Sequence, residues 1–335
     1  MDDTRFDSGT DSFDFGIGGP ARPQPAHSRF DPGAATRRTR SGRAALPPVD
    51  LSVDLEQRAL PIESSAGFRE GFRRVSPARS APVHPGTMSW HELASIDADE
   101  SARFLATVLG AEVRVRARGH AGEYRTLVAG GLHVAGIVGC DFDDAPGWRT
   151  YLRVPNVEYI CDLALEHGGC VEVAPSGILG LDRRAVISDP TGASLVVIAG
   201  GDDRRTIGSG TLGWDELRST DPVESMRFWC AVLGWSACPL ASPRGSHAAI
   251  FLNGGAAVAS MQRASDAEPR SRWMPVATIA RSEFNAVLNR VHSIGGTLRT
   301  APLAHAVLGT EALVEDPSGV EIALGCEPSH GIAAA

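Results

Sequence analysis

Residues 86–110 read GTMSWHELASIDADESARFLATVLG, and residues 210–234 read GTLGWDELRSTDPVESMRFWCAVLG. At a constant offset of 124 the two share Gly86/Gly210, Trp90/Trp214, Glu92/Glu216, Leu93/Leu217, Asp97/Asp221, Glu100/Glu224, Phe104/Phe228 and Gly110/Gly234. A repeat of about 120 residues is a duplicated domain rather than a solenoid unit, because that length buries a core of its own. Each copy predicts a strand, a turn and a helix. Trp-x-Glu-Leu alternates as a half-buried strand does. Asp97 and Asp221 stand at helix N-caps, with Glu100 and Glu224 at capping-box spacing. Pro222 takes the first helical position, where its missing N–H is harmless. Phe104, Leu105, Val108 and Leu109 then recur at helical spacing, and Gly110 closes the helix.

Working outward, the first copy continues with a hairpin at 124–138 around Gly130-Gly131, a loop at 141–148 and a strand at 149–154. An amphipathic helix at 157–167 follows, then strands at 171–174 and 184–188. An Asp-Pro-x-Gly turn at 189–192 leads into a last strand at 193–198. The second copy has the same parts: Gly254-Gly255 matches Gly130-Gly131, and Asp316-Pro317-Ser318-Gly319 matches the later turn at offset 127. Each repeat is expected to be an α+β unit with a mixed sheet wrapped around its own helices. The boundaries are a first domain at 85–200, a linker at 201–207, a second domain at 208–328 and a tail at 329–335. Residues 1–84 are rich in Pro, Gly, Ser and Arg and are expected to be disordered, with short helices at 53–59 and 68–75. That arm is a candidate recruiter of a protein partner.

Composition excludes several function classes. All 32 basic residues are arginine, which rules out a Walker A phosphate loop, a pyridoxal Schiff base and a lysine nucleophile. The net charge of −8 argues against general nucleic-acid affinity. No apolar run approaches the roughly 20 residues that span a bilayer, and the acidic start lacks a secretory h-region, so a cytoplasmic protein without a membrane partner is expected. The 6 cysteines form no CxxC pair and read as reduced thiols. Gly208, Gly210 and Gly213 fit a dinucleotide-loop spacing, but a strand follows where that motif needs a helix.

These motifs resemble the vicinal oxygen chelate superfamily, which includes glyoxalase I, extradiol dioxygenases and bleomycin-binding proteins. The resemblance implies two tandem domains, each of two βαβββ modules whose curved sheet forms a cleft. It also implies positions for a divalent metal. The first-strand ligand, seven residues before the capping aspartate, falls on Trp90 and Trp214. The ligand of the second module falls near Arg149, and near Trp273 or Met274. The last-strand glutamate falls on Val196 and Ala323. Indole, guanidinium and aliphatic groups do not bind such a cation, so neither metal nor any other cofactor is expected.

The candidate groups follow from strand alternation. Glu92 and Glu216 share a face with Trp90 and Trp214 and are candidate general bases in the cleft; the alternative is that each locks its strand by hydrogen bonds. Arg218 shares the Glu216 face and is also a candidate salt-bridge partner for it. Glu321 adds a third carboxylate, and Arg149 is a candidate for an anionic ligand group. Trp90, Trp214 and Trp273 are candidate aromatic walls, with the hydrophobic core as the alternative. His133 and His305 look isolated. The expectation is a metal-free glyoxalase-like protein that binds a small organic ligand, such as an antibiotic or metabolite. The alternative is a metal-independent, or relocated-metal, lyase, isomerase or hydroxylase-like enzyme using a cleft glutamate.

Overall fold

The two aspartate N-caps form as spaced, and each seats its helix against a sheet. The computed structural model describes residues 79–82, 86–117, 123–141, 145–177, 183–199, 204–207, 209–240, 248–266, 268–305 and 308–326. The short helices expected at 53–59 and 68–75 lie outside them. The first repeat runs β2 (Thr87–Ser95), α1 (Ala98–Leu109), β3 (Glu112–Ala117), β4 (Glu123–Ala129), β5 (Leu132–Gly139), β6 (Gly147–Arg153), α2 (Val157–Glu166), β7 (Cys170–Ser176), β8 (Arg184–Ser188) and β9 (Ser194–Ile198), preceded by β1 (Arg79–Pro82). After β10 (Arg204–Ile207), the second runs β11 (Thr211–Ser219), α3 (Pro222–Leu233), β12 (Ser236–Leu240), β13 (Ala248–Asn253), β14 (Ala256–Arg263), β15 (Arg272–Thr278) and α4 (Arg281–Val291). It ends with β16 (Thr297–Leu298), β17 (Leu303–His305), β18 (Gly309–Glu315) and β19 (Glu321–Cys326). Asp97 accepts from the Glu100 amide at 2.9 Å and Asp221 from the Glu224 amide at 3.2 Å. Gly110 and Gly234 close the helices at φ 64° and 67°, left-handed values that glycine reaches without strain.

Each repeat is one curved sheet of two βαβββ modules. The first is ordered β3-β4-β5-β2-β6-β9-β8-β7, and the second follows β12-β13-β14-β11-β15-β19-β18-β16, with β17 also on β18. In both, the first strands of the two modules meet antiparallel at the centre, β2 on β6 and β11 on β15. The edge strands β3 and β12 had no distinct sequence signal. Val113 and Val115 on β3 are exposed, so the alternation of EVRVRA does not report a buried face. Arg79–Pro82 pairs antiparallel with Arg204–Ile207, so strand structure is present in both the N-terminal stretch and the expected linker.

The expectation that each sheet wraps its own helices is corrected. One core joins α1 (Phe104, Leu105, Val108) to α4 (Phe284, Val287, Leu288) and to Ala312, Val314 and Ile322 of the other sheet. The second joins α2 (Val157, Ile160) to α3 (Phe228, Trp229), with Trp235, Phe251 and Trp273. A helix pair lies between two sheets, and burying both of its faces removes more apolar surface than packing on one sheet. Phe104 sits where a Cβ on Gly296 would be 2.3 Å from its ring, and Phe228 covers Gly169 at 2.4 Å. The Asp-Pro-x-Gly turns dock across in the same way. Asp316 accepts from Ser101 Oγ at 2.5 Å, and Asp189 from Trp229 Nε1 at 3.0 Å. His91 and Asp215 occupy the same repeat position and pair at 2.8 Å, buried between the two first strands. Each core therefore draws residues from both repeats.

Candidate functional site

Alternation places Trp90 and Glu92 together in the first repeat, and Trp214, Glu216 and Arg218 together in the second. The indole N–H of each tryptophan finds a different partner. Trp90 donates to the Tyr124 hydroxyl at 3.3 Å, and that hydroxyl lies over Gly136, 1.9 Å from where a Cβ would stand. In the second repeat Ser260 occupies the equivalent of Gly136, and Trp214 donates to its Oγ at 2.8 Å. One small residue against another thus decides whether a tyrosine fits into the cleft.

In the first repeat Glu92 is buried and receives Arg149 Nη1 at 3.3 Å and the Tyr151 hydroxyl at 3.5 Å. Arg149 lies directly across the ladder from Glu92 on β6. Burial and the Glu92 charge push the Tyr124 phenol well above its ordinary range. Around Glu92 stand the Arg149 guanidinium and the Tyr124 and Tyr151 hydroxyls.

The second repeat has Met274 across from Glu216, and the charge is met elsewhere. Glu216 is fully buried. Its Oε1 takes Gln262 Nε2 at 2.6 Å and Arg218 Nη2 at 3.1 Å, and its Oε2 takes His305 Nε2 at 2.7 Å. Arg218 Nη2 also reaches Glu311 Oε1 at 2.6 Å. Burial opposes the charge on Glu216, but Arg218, His305 and Gln262 outweigh it and hold the carboxyl at about 2. Burial, and then the Glu216 charge, push Glu311 up to about 7. The first repeat has Ala94, Val138 and Arg184 at the positions of Arg218, Gln262 and Glu311. Only the second repeat carries the cluster.

A cavity of about 1050 Å³ opens on this cluster, lined by Arg218, His305, Glu311 and Glu321, and by Trp148 and Arg149 of the first repeat. Trp148 donates to the Glu321 carbonyl at 3.1 Å and so fixes one wall across the repeat boundary. Glu321 pairs with Arg272 and with Arg299, the latter at 3.3 Å. Trp273 lines the same cavity and also packs into the second core, edge-on to Trp229 at 5.6 Å. Sequence reasoning missed His305 and Glu311. Ala312 and Val314 alternate into the core, so Glu311 and Leu313 face the cleft, and that pattern was the available signal.

The superfamily's metal positions do not fit a cation. Trp214, Met274 and Ala323 meet in an apolar cluster with Val276, Leu308 and Leu313. Among the described residues, Glu216, His305 and Glu311 offer ligand atoms within 4.8 Å of one another. His305 Nδ1, however, accepts the Leu308 amide at 3.0 Å, which leaves the proton on Nε2, the atom that faces both carboxylates. Ligation of a metal through Nε2 would require the proton on Nδ1 instead. The Arg218 guanidinium already supplies the cation against both carboxylates. No helix among the described residues is long and apolar enough to cross a membrane.

The model of the Glyoxalase/Bleomycin resistance protein/Dioxygenase superfamily matches residues 211–324. The anthracycline biosynthesis protein DnrV of Streptomyces peucetius is 28% identical over 255 residues, covering 70% of this chain and 91% of its own. The putative glyoxylase CFP32 of Mycobacterium tuberculosis is 26% identical over 254 residues, covering 72% and 95%. The solved 2,3-dioxygenase LapB from Pseudomonas sp. KL28 aligns with a TM-score of 0.51 at 13% identity over 74% of this chain and 95% of that one, a likeness of fold.

Proposed function

Taking as premise that the chain is a glyoxalase-like protein of the vicinal oxygen chelate superfamily, we propose that it binds a small organic molecule in the cleft of its second repeat, without the superfamily's metal. The observation that carries this reading is the cavity of about 1050 Å³ that opens on a buried polar cluster beside an apolar floor. That size holds a ligand of several fused rings, and a few convergent polar groups in a largely preformed pocket give orientation. Two relatives are named for anthracycline biosynthesis, which makes anthracycline-type metabolites the first class to test. Trp148 on the wall gives an intrinsic readout. Binding is expected to quench tryptophan fluorescence, and Trp148→Phe is expected to reduce the quench, since Trp273 also lines the cavity, while calorimetric binding persists. A panel of such metabolites with no calorimetric signal would refute the reading for that class.

The second reading is an enzyme, and the residue that favours it is Glu311, not the saturated Glu216. A carboxyl held near neutrality suits proton transfer. Turnover lost in Glu311→Gln with binding retained would support it; a ligand recovered unchanged after prolonged incubation would support the binder.

A further inference from the structure

We infer that Glu311 is the group that meets the ligand, carrying its proton on Oε2 and donating it in a hydrogen bond to a carbonyl or carboxylate oxygen of an organic molecule in the cavity. This rests on the small-molecule reading above and names the chemistry the ligand must present. Glu311 lines the cavity, its side chain is 9% exposed, and its Oε2 is buried with no hydrogen-bond partner. His305 Nε2 stands 3.7 Å from that oxygen, beyond hydrogen-bond range, and its proton is committed to Glu216 at 2.7 Å. The other oxygen of Glu311 accepts from Arg218, so the carboxyl is fixed in rotation and only Oε2 is available.

A buried carboxylate oxygen with no donor is costly, whereas a buried carboxylic acid needs only an acceptor. The charged groups around Glu311 decide between these states. Glu216 and Arg218 face it from β11 and His305 from β17, while Glu268 reaches Arg218 at 3.8 Å and shares Arg272 with Glu321. Arg218 is shared between Glu216 and Glu311, Arg272 pairs with Glu268 and Glu321, and His305, where burial opposes the charge but Glu311 and Glu216 raise the pKa, gives its Nε2 proton to Glu216. The one Arg218 guanidinium serves two buried carboxylates, and burial together with the Glu216 charge keeps the proton on Glu311 up to about pH 7. Arg263 and Arg270 also line the cavity, beside the Arg299 that pairs with Glu321, so the ligand is expected to be carbonyl-bearing and anionic. Glu216, the residue that strand alternation picks out, is the buried counter-charge that keeps Arg218 in place.

The test uses the full chain and two probes, anthraquinone-2-sulfonate and 2-naphthalenesulfonate. Both are planar anions, and only the first has carbonyl oxygens. Infrared difference spectra between pH 6 and pH 8 are expected to show a protonated carboxyl band that Glu311→Gln removes. Affinity for the anthraquinone is expected to fall about tenfold per pH unit above about pH 7 in the wild type. In Glu311→Gln, whose amide also donates, binding is retained but becomes independent of pH, and in Glu311→Leu it is lost. Naphthalenesulfonate binding is expected to be flat over the same range. A missing carboxyl band, or a pH profile that survives in Glu311→Gln, would overturn the inference and leave the binding reading standing. Failure of both probes to bind the wild type would overturn the reading and the inference with it.

Discussion

Replacing Glu311 by Gln should make the protein more stable at alkaline pH and leave it unchanged in mild acid. In the unfolded chain this carboxyl ionises near 4.5, and in the folded chain only at about 7. Between those values the native state holds one proton more than the unfolded state, so stability falls as pH rises and levels off above about 7. At roughly 1.4 kcal/mol per pH unit, the loss amounts to about 3 kcal/mol. The side chain is 9% exposed, so solvent screening removes little of it. Glutamine keeps the shape and the acceptor for Arg218, and it titrates nowhere in this range. Urea unfolding at pH 5 and pH 8 measures the effect: wild type and variant should coincide at pH 5 and separate by about 2–3 kcal/mol at pH 8, with the variant more stable. A variant equally destabilised at both pH values would refute the charge accounting of the whole cluster.

Three further outcomes follow from the same structure. Arg218→Leu strips the cation from two buried carboxylates and should lose about 3–5 kcal/mol at pH 8 and less at pH 5, where Glu311 is neutral; equal losses at the two pH values would contradict it. Gly169→Ala and Gly296→Ala drive a methyl into Phe228 and Phe104 and against a backbone carbonyl, and each should lower stability by about 1–3 kcal/mol in thermal or urea unfolding. A chain of residues 208–328 alone should give no cooperative unfolding transition, because half of each core comes from the other repeat; a sharp transition would show that the repeats are independent domains.

Much of the fold was legible because its signals are local. Aspartate N-caps, the Gly-Gly hairpins and the Asp-Pro-x-Gly turns act over four to six residues and appear twice, which separated them from chance. The exchange of helices between sheets was not legible. An amphipathic helix declares that it has an apolar face, but nothing in Phe104 or Phe228 says that the surface it meets is a glycine in the other repeat. The site divides in the same way. Glu216, Arg218 and their alternation with Trp214 lie within five residues, whereas Glu311 and His305 arrive from about 90 residues further on, and only the closed sheet brings them to the same point. The two glutamates that looked equivalent in sequence differ because their cross-strand neighbours do, Arg149 for Glu92 and Met274 for Glu216.

The most direct test of the central claim is native mass spectrometry of the full-length protein beside a denatured control. The account predicts a chain free of divalent metal that carries an organic adduct, released on denaturation and weakened in Glu311→Leu. About one divalent metal ion per chain, lost in Glu216→Gln, would contradict it and make Glu216, His305 and Glu311 ligands instead of a hydrogen-bonding cluster.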